Sequence, residues 1–130
     1  MDQLRSGERP WAVNRMAQLA ACFLLGMPDY ENEVRRYCHD EKQRIISAFS
    51  TIKYLEYQPG RTHFALFRVK KPLSARMLYE ALRQKGMLIR DCGNFSGLSG
   101  DHVRISPRMR DDNLALITAV RELSSRAEKG

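Results

Sequence analysis

The apolar pattern of this chain changes period once, near Lys53, and that change constrains the fold more than any composition figure. Upstream, Tyr30, Val34, Tyr37, Cys38, Ile45, Ala48, Phe49 and Ile52 recur at helical spacing, interrupted by Glu41 and separated by charged residues. The spacing predicts a long one-faced helix from Asp29, as N-cap, to about Thr51. Downstream, KYLEYQ alternates, QPGR is a turn, and THFALFRV is a β-branched and aromatic run. These segments predict two strands joined by that turn.

The flanking segments extend the pattern. PWAVNRMAQLAACFLL, Pro10 to Leu25, reads as a helix because proline is tolerated in a first turn and no breaker follows until Gly26. Its polar residues Asn14, Arg15 and Gln18 form only a narrow stripe, so such a helix calls for burial on most sides. LSARMLYEALRQKG reads as an amphipathic helix, with Ser74 as N-cap and Gly86 as C-terminal stop. MLIRD and HVRIS are short strands around the loop from Asn94 to Gly100. A last helix runs from about Arg110 to Arg126, with Asp111 and Asp112 at its positive end. The order helix, helix, strand, strand, helix, strand, strand, helix predicts an α+β fold: a small sheet of about four strands covered by helices, with a long N-terminal helical segment. The expected divisions are a leader over 1–9, a helical segment over 10–52, an α+β domain over 53–126 and a fraying tail over 127–130.

At 130 residues and 43% hydrophobic content, the chain has the size of one domain and enough apolar surface for a core. Its formal net charge of +7 suits anionic partners without naming one. The basic residues are spread along the helices and aromatics are sparse, so nucleic acid is not expected as a partner. Cys22, Cys38 and Cys92 form no CxxC, and no signal-peptide pattern opens the chain, so a reduced, cytoplasmic setting is expected. MAQLAACFLLGM is too short and too interrupted to span a bilayer, and no membrane partner is expected. His39, His63 and His102 are scattered, and Cys38 and His39 point in different directions on a helix, so no metal site is expected. GLSG lacks the lysine and following helix of a phosphate loop. Ser96, Asp101 and His102 form a triple of the kind any chain offers, so no catalytic residue is assigned.

The chemistry-bearing stretch is MLIRDCGNFSGLSGDHVRIS, Met87 to Ser106. Arg90 ends one strand-like run and Arg104 sits inside the next, across a Gly/Ser/Asn-rich loop. Arginine is the preferred partner of carboxylate and phosphate because its planar fork gives two parallel charge-assisted hydrogen bonds. Alternation in HVRIS places Val103 and Ile105 on one face and His102, Arg104 and Ser106 on the other. Arg104 therefore points away from the core, toward solvent or toward a site, and spacing alone favours solvent.

RPWAVNRMAQLAA, THFALFRV, GMLIRDCGNFSGLSGDHVRIS and DDNLALITAV resemble successive segments of the C-terminal part of fold-type I pyridoxal-phosphate enzymes, the class I/II aminotransferase superfamily. The likeness runs from about Leu4 to Leu123 and is strongest to the group of histidinol-phosphate aminotransferases and the L-threonine-O-3-phosphate decarboxylases of cobalamin biosynthesis. LIRD.NF.GL followed by RI is the most specific part; the PW.VN start adds to it. The resemblance implies an aminotransferase C-terminal small domain. In the family the arginine of the RI strand binds the substrate α-carboxylate, which implies that role for Arg104. The arginine of the IRD strand contacts the substrate phosphate, which implies that role for Arg90, with Asn94 as a further loop contact. The chain departs from the family where Pro107 and Arg108 replace the usual small and polar residues after the arginine strand, and where Cys92 and Gly93 precede Asn94.

In the family, the lysine that carries the cofactor and the residues that cradle it belong to a large domain ahead of the PW.VN segment. Lys42, Lys53, Lys70, Lys71, Lys85 and Lys129 match none of them. Without that lysine a decarboxylase has no electron sink. The resemblance thus implies recognition of a phosphorylated amino acid for a pyridoxal-phosphate-dependent lyase (threonine-phosphate decarboxylase-like) or aminotransferase-like enzyme. The chain alone is expected to bind no cofactor and to be inactive. The alternative is a stand-alone anion-binding or regulatory module without catalysis. The apolar circumference of the first helix implies a partner, either a large-domain chain or a second copy in a homodimer.

Overall fold

The computed structural model describes residues 13–98 and 101–129. The expected leader over 1–9, the expected helix start at Pro10, and Ser99 and Gly100 at the end of GLSG lie outside these residues. The described elements are α1 (Arg15–Leu25), α2 (Pro28–Ser50), β1 (Leu55–Gln58), β2 (Ala65–Val69), α3 (Ala75–Gln84), β3 (Arg90–Asp91), β4 (His102–Ile105) and α4 (Arg110–Lys129). The strands form one antiparallel sheet in the order β1-β2-β4-β3. This is the α+β architecture that the change of period requires.

The chain divides into two units, Met1–Arg36 and Tyr37–Gly130. In the first, α1 begins at Arg15, because Asn14 adopts an extended backbone and its Oδ1 accepts the Ala17 N–H at 2.9 Å. Asn14 is therefore a cap and not part of a polar stripe. No residue of α1 is buried, and Met16, Phe23 and Leu25 are each at least 70% exposed.

The second unit takes in the C-terminal half of α2. Ile45, Phe49 and Ile52 pack in the same core as the sheet, so this half of the helix belongs to the α+β domain. From α3 come Leu78 and Leu82, from α4 Ile117 and Val120, and all meet Leu55, Phe67, Val69, Val103 and Ile105 of the sheet. The Phe49 and Phe67 rings lie 5.2 Å apart and tilted. Each such side chain contributes about 1.5–3 kcal/mol on full burial. α3 is bounded as its sequence specifies: the Ser74 hydroxyl accepts the Met77 N–H. At its other end Gly86 takes a φ of 75°, the Gly86 N–H donates to Arg83 and the Met87 N–H to Leu82. That is a Schellman closure, which needs a residue free to turn left-handed. α4 runs on to Lys129, past the expected end at Arg126 and through most of the expected fraying tail. Ser124 is buried and Ala127 half-buried against the core, which holds this turn in place.

Glu41, which interrupts the apolar stripe of α2, is fully buried. Its carboxylate accepts from Asn113 Nδ2 at 2.9 Å, Arg110 Nε at 3.0 Å and Arg44 Nε at 3.3 Å. Burial pushes this carboxyl up, but the hydrogen bonds from Asn113, Arg110 and Arg44 outweigh it and hold the group below the ordinary carboxylate value. A lowered folded-state value contributes stability that is present above the unfolded value and is lost as pH falls through the folded one. Glu41→Gln is expected to lower stability at neutral pH by about 1–3 kcal/mol. It should also flatten the loss of stability on the acid side, as read by urea unfolding across pH 3–7, at about one proton's worth of slope.

Candidate functional site

The register pairs Arg104 of β4 with Arg90 of β3 on one side and with Leu66 of β2 on the other. Directly opposed residues of an antiparallel pair share a face, with Cβ atoms about 4.5–5.5 Å apart. Both guanidinium groups therefore leave the sheet on its outer face, opposite Val103 and Ile105, whose side chains are in the core. Like charges in this position destabilise a sheet. Neither arginine forms an ion pair with a carboxylate among the described residues.

Each arginine of the pair lies over its own aromatic ring. Arg104 lies over Phe64 at 4.8 Å and Arg90 over Phe95 at 5.2 Å. These are cation–π contacts, which fix a guanidinium without neutralising it. Phe64 ends the β1–β2 connection, which is pinned from below by Lys42. Lys42 is buried, and its Nζ donates to the Gly60 carbonyl at 3.0 Å and the Thr62 carbonyl at 2.8 Å. Phe95 and Asn94 are placed by turn chemistry after β3. The Gly93 N–H donates to Asp91 Oδ1 at 2.9 Å, the Phe95 N–H donates to the Cys92 carbonyl at 2.9 Å, and Gly97 takes a φ of 86°. Asn94 Oδ1 then accepts from Arg90 Nη2 at 2.8 Å.

All three site residues legible in the sequence are thus brought together: Arg90 and Arg104 side by side, and Asn94 on Arg90. His102 leaves the same face as Arg104 yet is 7% exposed, so facing away from the core does not put it in solvent. Beyond the Arg90–Arg104 pair the β3–β4 ladder stops, and a cleft of about 530 Å³ opens there. Leu88, Ser106, Arg108, Asp112 and Asn113 line it together with the two arginines. A smaller cleft of about 310 Å³ adjoins Arg90 from the side of Arg76 and Tyr79. Phe64, Phe95, Arg108 and Asn113 are absent from the sequence reading of the site. Phe95 stands beside Asn94 in the LIRD.NF.GL pattern, and that is the signal that points to it.

No lysine lines either cleft. Lys42 is committed to the β1–β2 connection, Lys70 pairs with Glu56 at 2.8 Å and Lys85 with Glu122 at 2.8 Å. The described residues therefore do not fit a group bound as an imine to a lysine beside these arginines.

An α+β domain with a basic cleft at the open end of an antiparallel pair is the class that these features define. The family model for aminotransferase class I and II matches residues 1–120, and the chain belongs to that family. It is 32% identical over 114 residues to histidinol-phosphate aminotransferase 2 of Archaeoglobus fulgidus, covering 88% of this chain and 32% of that one. Among solved structures it is similar to L-threonine-O-3-phosphate decarboxylase from Porphyromonas gingivalis, with a TM-score of 0.73 and 32% identity over 95% of this chain and 38% of that one. It is also similar to the histidinol-phosphate aminotransferase from Clostridium acetobutylicum, with a TM-score of 0.76 and 25% identity over 96% of this chain and 37% of that one. The chain spans about a third of the length of the curated relatives it matches.

Cys92 is 1% exposed, and burial raises its thiol above the ordinary value; the nearby charges of Arg104 and Arg90 oppose that rise without cancelling it. Cys22 is exposed. Native iodoacetamide labelling followed by mass spectrometry is expected to modify Cys22 at least about tenfold faster than Cys92, with the difference lost in denaturant. Equal rates in the native chain would contradict the burial of Cys92 behind the arginine pair.

Proposed function

We propose that this chain is the substrate-gripping domain of a pyridoxal-phosphate-dependent decarboxylase or aminotransferase that acts on a phosphorylated amino acid. Arg104 takes the α-carboxylate, Arg90 takes the phosphate, and Asn94 orients Arg90. The observation that carries the reading is the cross-strand pair of guanidinium groups, each stacked on a ring and neither neutralised by a carboxylate. A ligand with two anionic ends relieves the repulsion between them and forms charge-assisted bonds with both. The relatives named for histidinol phosphate and threonine phosphate support a phosphorylated substrate.

The family depends on pyridoxal phosphate. That group supplies the electron sink when it is bound. The side chains of this domain serve to hold the substrate in one orientation, which is where positioning contributes to rate. With no lysine in either cleft, turnover by this chain alone is not expected. A second reading, an anion-binding or regulatory module without catalysis, draws on the fact that the arginines, both rings and the cleft all lie within Tyr37–Gly130.

The exposed apolar residues of α1 fit the first reading, in which a large-domain chain covers them. Sedimentation of the purified chain over a wide concentration range is expected to show association that Leu19→Ser with Phe23→Ser abolishes. A monodisperse, folded monomer at high concentration would count against any partner for this helix.

Calorimetric titration with O-phospho-L-threonine tests the arginine assignment. Loss of a charge-assisted hydrogen-bonded pair weakens binding by about 1.5–3 kcal/mol, or roughly tenfold to a hundredfold. Arg104→Gln should weaken both phosphothreonine and L-threonine by that amount, and Arg90→Gln should weaken phosphothreonine alone. Identical, small effects of both substitutions on every anion would leave only a basic surface.

A further inference from the structure

We propose that Arg108 is a third anion-binding side chain of the cleft, that it joins Arg90 on the phosphate of a dianionic phosphomonoester, and that Asp112 occupies it until the ligand arrives. The inference rests on the phosphorylated-amino-acid reading and deepens it by naming what selects the dianion.

Arg108 lies in the connection between β4 and α4 and lines the same cleft as Arg90 and Arg104. Its backbone is fixed to an unusual degree for a loop residue. The Arg108 N–H donates to Asn113 Oδ1 at 2.9 Å, and Asn113 Nδ2 donates to the Arg108 carbonyl at 2.9 Å. Asn113 is 2% exposed and is itself held, because the same Nδ2 also donates to the buried Glu41 carboxylate. A side-chain amide that grips both backbone groups of one residue, and is anchored by a buried charge, sets where that residue's side chain leaves the main chain.

The side chain itself is free to move. It is 78% exposed, and its Nε meets Asp112 Oδ2 at 3.3 Å. The two Nη groups have no hydrogen-bond partner among the described residues. An ion pair this exposed is weak, so a competing anion of higher charge displaces it. A phosphomonoester carries a charge of roughly −1.5 to −2 at neutral pH and three acceptor oxygens. Asp112 is the one acidic residue among the described lining of the cleft, set against Arg90, Arg104 and Arg108. With Arg104 on the carboxylate, Arg90 alone offers the phosphate dianion one cation, and Arg108 offers it a second.

The test is calorimetric titration of the full chain with O-phospho-L-threonine, L-threonine and inorganic phosphate, using Arg108→Gln and Asp112→Asn beside Arg90→Gln and Arg104→Gln. Arg108→Gln is expected to weaken phosphothreonine about tenfold and leave L-threonine unchanged. Asp112→Asn is expected to tighten phosphothreonine several-fold, since the phosphate no longer competes with a carboxylate. Circular dichroism and the thermal midpoint confirm that each variant is folded. If Arg108→Gln binds phosphothreonine like the parent while Arg90→Gln loses it, Arg108 is a bystander and the two-arginine reading stands. Equal weakening of L-threonine and phosphothreonine by Arg108→Gln overturns the proposal as well, since it marks a diffuse charge effect. If none of the arginine substitutions changes binding, the reading of the cleft falls together with the proposal.

Discussion

The site depends on a contact that sheets normally avoid, two guanidinium groups directly opposite each other on neighbouring antiparallel strands. The surrounding structure makes that contact tolerable in a particular way. Phe64 and Phe95 each take one guanidinium onto a ring face, and Asn94 takes a hydrogen bond from Arg90. None of these partners carries negative charge. The arginines are thus positioned without being neutralised, and their electrostatic demand stays directed at the cleft.

Holding the pair there makes demands on distant parts of the chain. Phe64 is useful only if the β1–β2 connection stays in place, and Lys42 fixes it by donating to two of its carbonyl groups. The other wall is fixed through Asn113, which joins the β4–α4 connection to the buried Glu41 of α2. Adjacent residues of one helix turn, Glu41 and Lys42, therefore tie down the β1–β2 connection that carries Phe64 and the β4–α4 connection that follows Arg104. Burying two charged groups in that turn is unfavourable unless they are hydrogen-bonded; the Glu41 carboxylate accepts from three side chains and the Lys42 ammonium donates to two carbonyls. The same turn spent on apolar packing would favour the core and leave both connections loose.

The order of the elements is legible in the sequence because the apolar period, the Ser74 cap and the Gly86 stop are local signals. Other features are not local. Asn14 moves the start of α1 because a side chain chose the cap over a place in the helix. Glu41 reads as a break in an apolar stripe until Asn113, far along the chain, gives its buried carboxylate a partner. β3 is only Arg90–Asp91, shorter than MLIRD suggests, because the start of that run is taken up by the closure of α3, where the Met87 N–H donates to the Leu82 carbonyl. Arg90 and Arg104 are legible as chemistry, but their being neighbours is a fact of register. Phe64 is harder still, because its position under Arg104 is set by Lys42 on another element.

The register also bears on what the cleft can accept. Two arginines whose Cβ atoms lie about 5 Å apart would compete for a single small anion if their side chains ran parallel. They do not share a support: Arg104 stacks on a ring before β2, and Arg90 on a ring after β3. The β2–β4–β3 order places these two rings at opposite flanks of the pair. Stacking on separate rings gives each guanidinium a support of its own. On the proposed reading this arrangement favours a ligand whose two anions sit at the ends of a short carbon backbone over inorganic phosphate or a simple carboxylate, because only the former meets both cations without pulling either off its ring. Selectivity of that kind, on the proposed reading, would come from the sheet and its loops and not from the cofactor chemistry.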